Sequence, residues 1–259
     1  MSGTQTSQFL QIAEAYTWLN PHLTLSLNWD GVTRVTKATD PEWTKWKASD
    51  PTCPHWYNTE SLSRLIAAYL SHDADNGRKR SVRELISEFH GLSGSAKQKA
   101  VLEATGLSRQ PLSCFALNGG VDPVLTLKLL VAMKRKSKPV KPQRLGVIGE
   151  EHLMVRFARE GYNPDSFRYK RIFQADPLPE VYEFAFAYCP KNTERGIVTG
   201  VNWSPGIVNP FRDLGGWQSM DSILTEAKAG PDEPIIIFIH VASPGVQYTD
   251  RGKSAVVIS

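Results

Sequence analysis

The residues best suited to chemistry in this chain are cations, and they come in two groups. Between Pro123 and Gly149 stand Lys128, Lys134, Arg135, Lys136, Lys138, Lys141 and Arg144, with no acid among them. Arg78, Lys79, Arg80 and Arg83 form the second group. Amines and guanidinium groups gathered in this way neutralise phosphates, and seven phosphate contacts give an affinity that falls steeply with salt. Such contacts hold a polyanion by its phosphates and read no sequence. The competing reading is a solvated helix end, where the dipole also collects cations. Two groups flanking one small helical module favour a polyanion.

Other reactive residues lack partners at a useful spacing. His240 follows a buried strand, with no Cys, Ser or carboxylate placed to work with it, so a hydrogen-bonded structural role is expected. Glu150-Glu151-His152 suggests metal ligands, but adjacent helix positions point in different directions and no partner follows at i+4. Glu150 suits the first turn of a helix instead. No metal site is expected. Ser243-Pro244-Gly245 lacks the strand-to-helix elbow of a hydrolase. Arg251 and Lys253 occupy a polar turn that faces either a phosphate-bearing ligand or solvent. Cys53, Cys114 and Cys189 are odd in number and widely spaced, which predicts free thiols in a reducing compartment.

The elements that must position these residues can be read in order. Phe9, Ile12, Ala13, Tyr16 and Leu19 recur at helical spacing, and Asn20-Pro21 ends that helix. Leu23, Leu25, Leu27 and Trp29 alternate as a strand, and Asp30-Gly31 turns the chain into Val32–Val35. Residues 39–57 read as an ordered loop carrying Trp43, Trp46 and Trp56. A helix spans 58–70. Ser81 and Glu84 form a capping box for a second. A third covers 95–105 and stops at Gly106, and Asp122-Pro123 opens a fourth. Past Arg144 the texture changes. A short helix over 150–160 precedes strands at 167–173, 181–188, 197–203 and 235–241, with a helix over 219–229 before the last. Ile235–Ile239 is continuously apolar and β-branched, as a strand buried on both faces would be. The fold class expected is α+β.

Bulk properties fit this reading. The chain has 259 residues, 41% hydrophobic and 22% charged, with a formal net charge of +4. That is the balance of an ordinary globular protein. No run reaches the roughly 18 apolar residues of a membrane span. The first residues have no basic stretch followed by an apolar core, so no secretory signal is expected and the cytoplasm is the expected location.

With the segments in order, the chain resembles the B subunit of DNA topoisomerase VI, a type IIB topoisomerase. Ala15-Tyr16-Thr17-Trp18-Leu19-Asn20-Pro21-His22 is similar to the helix and Asn-Pro-His that close that family's ATPase domain. Cys53-Pro54-His55 through Glu60 resembles its Pro-His-Pro linker. Residues 81–107 resemble its helix-two-turns-helix module. Leu145–Leu153 resembles the Leu-Ser-Pro-Ile-Gly-Glu-Glu-Leu that opens its transducer domain. Val181–Tyr188 resembles a transducer strand ending Ile-Ala-Tyr, and His240–Ala255 resembles its His-Val-x-Ser through Gly-Lys-x-Ala segment. The matches cover nearly the whole chain.

The resemblance implies three parts. Residues 1–57 would be the remnant of an ATPase domain and its linker, 58–144 a basic helix-two-turns-helix-like module, and 145–259 a transducer with a fold like that of ribosomal protein S5. The cations of the two groups would bind duplex DNA. ATP and Mg belong to the complete family protein, whose nucleotide site needs glycine-rich turns and an Asn-bearing helix that this sequence lacks. This chain alone is therefore expected to bind neither and to be no ATPase. The family's γ-phosphate-sensing lysine follows a Trp, whereas Gln218 follows Trp217 here. Arg212, Lys228, Arg251 and Lys253 are the candidate substitutes. Expected partners are duplex DNA, an ATPase domain encoded upstream and a topoisomerase VI A-like subunit, with a homodimer in the complete protein and no membrane. The rival expectation is an adaptor that keeps the fold without DNA or ATP chemistry.

Overall fold

The computed structural model describes residues 3–206, 208–212, 219–249 and 255–256. The chain divides into two compact units. Unit 1 comprises Met1–Trp46 and Pro142–Ser259, and unit 2 comprises Lys47–Lys141. The first 46 residues are thus built into the same unit as the C-terminal half. Arg144, grouped in the sequence with the basic module, belongs to unit 1.

Unit 1 is mixed α and β. Helix α1 (Gly3–Leu19) leads to a hairpin of β1 (Leu25–Trp29) and β2 (Val32–Thr36). Asp30 and Gly31 both take positive φ, 50° and 76°, which is the twist a two-residue hairpin turn requires. Elsewhere unit 1 holds α6 (Glu150–Arg159), β5 (Arg168–Gln174), β6 (Glu180–Tyr188), β7 (Gly196–Val201), β8 (Ser204–Pro205), α7 (Met220–Glu226) and β9 (Ile235–Ala242). Its five-stranded sheet runs β5-β6-β9-β7-β8. β6 is antiparallel to β5 and β9, and β7 lies parallel to β9.

Pairing Glu183 with His240, and His240 with Gly200, puts these three positions on one sheet face. Helices α1 and α6 cover that face. Trp18 of α1 meets the rings of Phe157 and Phe238, and a Cβ at Gly200 would collide with Leu19. The opposite face packs Met220 and Leu224 of α7 against Val201, Ile239 and Val241.

Unit 2 is helical. It contains α2 (Thr59–Asp75), α3 (Val82–Ser87), α4 (Ser95–Thr105), a short ladder of β3 (Ala116–Leu117) with β4 (Gly120–Val121), and α5 (Pro123–Lys136). The cap signals at Ser81, Gly106 and Asp122 act as the sequence implies, and the structure adds a cap at Asn58. Asn58, Ser81 and Asp122 each accept a backbone N–H from the helix they start, and Gly106 closes α4 at φ 74°. The helices share one core, centred on Leu62, Ile66, Leu85, Phe89, Leu129 and Met133. Among the described residues no helix is long and apolar enough to cross a membrane.

Candidate nucleic-acid interface

Charge divides unevenly between the units. Unit 2 has fifteen Lys and Arg against eight Asp and Glu, a formal +7 out of the chain's +4, which leaves −3 for unit 1. A surplus of this size on about ninety residues sets up a positive field around the unit.

Most of the cations expected to bind phosphate are in solvent. Arg78 and Lys79 lie in the turn after α2, and Arg83 stands on α3; all three are exposed. Lys128 and Arg135, seven residues apart, share the exposed face of α5, and Lys136, Lys138 and Lys141 are exposed at and beyond its end. Arg78 is shared with Glu84, 3.1 Å away. The Glu84 carboxyl is held down to about 2, first by the backbone and hydroxyl of Ser81 and then by Arg78. Lys134 is half-buried and donates to the Tyr57 carbonyl at 2.9 Å, so its ammonium ties α5 to the preceding segment.

Arg80 departs from the expected set. Its side chain is 6% exposed, and it pairs with Asp73 at 3.1 Å and Glu88 at 3.0 Å. Its guanidinium also lies 3.9 Å from the centre of the Tyr69 ring. This arginine joins α2 to α3 from inside. Arg-Lys-Arg in sequence cannot show which of the three turns inward. The answer depends on Asp73, which stands on the neighbouring helix.

Of the four nucleotide-sensing candidates, the two among the described residues, Arg212 and Lys228, are not brought together. Arg212 precedes α7, where its carbonyl accepts the Met220 N–H, and Lys228 follows α7 at φ 60°. Seven helical residues, about 10 Å, separate them. Arg251 and Lys253 lie outside the described residues, as do Trp217 and Gln218.

Unit 1 holds a buried polar network that residue spacing did not reveal. Glu183 and His240 are both 0% exposed. One Glu183 oxygen accepts from the Ile148 N–H and from His240 Nδ1, at 3.0 and 3.2 Å. The other accepts from the Gly149 N–H and the Tyr169 hydroxyl, at 2.9 and 2.8 Å. Burial pushes this carboxyl up, but His240 and the two amides outweigh it and hold it below its ordinary value. Burial and Glu183 together raise the Tyr169 hydroxyl. Nε2 of His240 is assigned as acceptor from the Trp203 N–H, so both ring nitrogens are engaged. The expected structural role of this histidine is what the geometry displays.

His152 is structural too. It is buried, bonded at Nε2 to the Trp18 carbonyl (2.9 Å) and at Nδ1 to the Thr39 hydroxyl (2.5 Å). Burial, then Arg156, lowers it to about 4. Glu150 and Glu151 sit in the first turn of α6, and no metal-binding cluster occurs among the described residues. Neither a scan of family models nor a search of curated proteins finds a match to this chain.

Proposed function

We propose that this chain is the non-catalytic DNA-binding and transducer portion of a topoisomerase VI B-like, ATP-dependent machine. In this reading unit 2 is the helix-two-turns-helix-like module and grips duplex DNA by its backbone. Unit 1, from Pro142 onward, is the S5-like transducer layer. It passes the effect of ATP-driven dimerisation, generated by an upstream ATPase domain, to strand passage by an A-type partner. The observation that carries the reading is the +7 of unit 2, with eight of its ten candidate cations exposed. The buried Glu183 network gives supporting physical sense. It fixes the Ile148–Gly149 turn to the sheet, which lets unit 1 move as a rigid body.

Filter binding of a duplex DNA fragment to the full chain tests the proposal. Retention at low salt that disappears as salt rises is expected. No retention at the lowest salt used would leave the adaptor reading in its place.

A further inference from the structure

Helix α7 packs its apolar residues against β7, β9 and Tyr182, and it leaves part of that sheet face open. On the open part, Phe186 is 47% exposed, Tyr188 42% and Ile172 42%. An exposed Phe and Tyr on adjacent same-face positions of an inner strand are unusual, because burying such rings is worth about 1.5–3 kcal/mol each. Phe184 continues the row, half-buried. Alternate residues of a strand stand about 6.8 Å apart, roughly twice the 3.4 Å rise of a stacked nucleic-acid strand. Each ring therefore has room for one unstacked base.

The neighbouring edge strand supplies the charge. Arg168 is paired opposite Phe186 and Lys170 opposite Phe184, so both cations share this face, and both are exposed. Arg168 is fixed by the carbonyls of Asp165 and Phe167, at 2.9 and 2.8 Å. The acid on the same face of β6, Glu180, is engaged at the far end by the Tyr182 hydroxyl.

From this arrangement we propose that the open sheet face of unit 1 binds single-stranded nucleic acid. Phe186 and Tyr188 stack on successive bases, and Arg168 and Lys170 meet the backbone. Flat rings on a sheet flanked by cations form the stacking platform such strands use, and this platform is indifferent to sequence because every base has a π-face. A protein partner would use the same rings but has no need of the two cations paired opposite them. This site is separate from the duplex-binding cations of unit 2 and does not depend on them.

Fluorescence anisotropy with a labelled ten-nucleotide oligothymidylate and, in parallel, a labelled duplex tests the assignment on the full chain. The double variant Phe186→Ala with Tyr188→Ala should lose tenfold or more in single-strand affinity and stay within twofold for duplex. Phe186→Trp with Tyr188→Trp should retain single-strand binding and shows that the face tolerates change. A variant with Lys128, Arg135 and Lys136 changed to Ala should show the opposite pattern, weaker for duplex and nearly unchanged for the oligonucleotide. Single-strand affinity that survives the Ala pair, or falls in step with duplex affinity, overturns the proposal. So does a dimer by light scattering that the Ala pair converts to monomer while oligonucleotide binding is unchanged, since the face would then seat a second copy.

Discussion

In unit 2 the charged groups stand mostly in solvent, on Lys128, Arg135, Lys136, Lys138 and Lys141, whereas the key charged and polar groups of unit 1 have almost none: Glu183, His240, His152 and Arg156 are each 4% exposed or less. The two placements do different work. A buried carboxylate with four donors costs several kcal/mol to desolvate and is retained only where its geometry is complete, so it fixes a shape. An exposed lysine contributes little to folding and keeps its charge for a partner. Unit 2 contains its own internal exception in Arg80, which behaves like a unit 1 residue. The contrast is therefore one of burial and partners, not of residue type.

The largest break in this contrast should come from Glu183→Ala. It leaves two amides, a tyrosine hydroxyl and a histidine nitrogen buried without their acceptor, and a loss of about 3–5 kcal/mol is expected. Chemical denaturation monitored by Trp fluorescence measures it, and a loss under about 1 kcal/mol would show that the network is not holding the sheet. Arg80→Ala should cost about 3 kcal/mol, because Asp73 stays buried without its cation. Duplex affinity should not change in that variant under conditions where it remains folded. A fall in affinity matching that of an exposed cation would place Arg80 on the interface after all.

Acid should act through His152. Its folded value, about 4, lies below the ordinary 6.5, so between the two the unfolded chain takes up a proton that the folded chain refuses. Stability from this residue is complete above pH 6.5 and declines as pH falls toward 4, by up to about 3 kcal/mol. Glu183, depressed likewise, adds a further loss at lower pH as it protonates. Denaturation midpoints from pH 7.5 to 4.5 should fall in the parent, and the slope should be shallower in His152→Gln. The smallest effect on folding should come from replacing Lys128, Arg135 and Lys136 together by Ala. A change within about 0.5 kcal/mol per position is expected for exposed side chains, and thermal melting checks it.

Local signals carried far in this chain. The Ser81–Glu84 box, Gly106 and Asp122-Pro123 mark helix ends in the sequence and do so in the fold, because a cap is an interaction over three or four residues. The helix from Asn58 runs to Asp75 rather than Leu70, since Ser71–Asp75 carry no breaker before Asn76-Gly77. Long-range choices were not legible. Nothing near Ile197 says that β7 lies parallel to β9, and nothing near Trp46 says that residues 1–46 fold with 142–259. The alternation of Tyr182, Phe184, Phe186 and Tyr188 is plain in the sequence, but which face stays open depends on where α7 packs. Glu183 reads as an ordinary polar position until His240, fifty-seven residues later, is paired beside it.

The most direct test of the central claim is the salt dependence of duplex binding. Each phosphate contact contributes about −0.9 to the slope of log K against log salt. For the parent chain a steep negative slope is predicted, and in the Lys128, Arg135 and Lys136 triple variant it should become shallower by about 2.5 to 3 while the protein remains folded. A parent slope near zero, or an unchanged slope in the triple variant, would contradict the assignment of unit 2 as the DNA-gripping module.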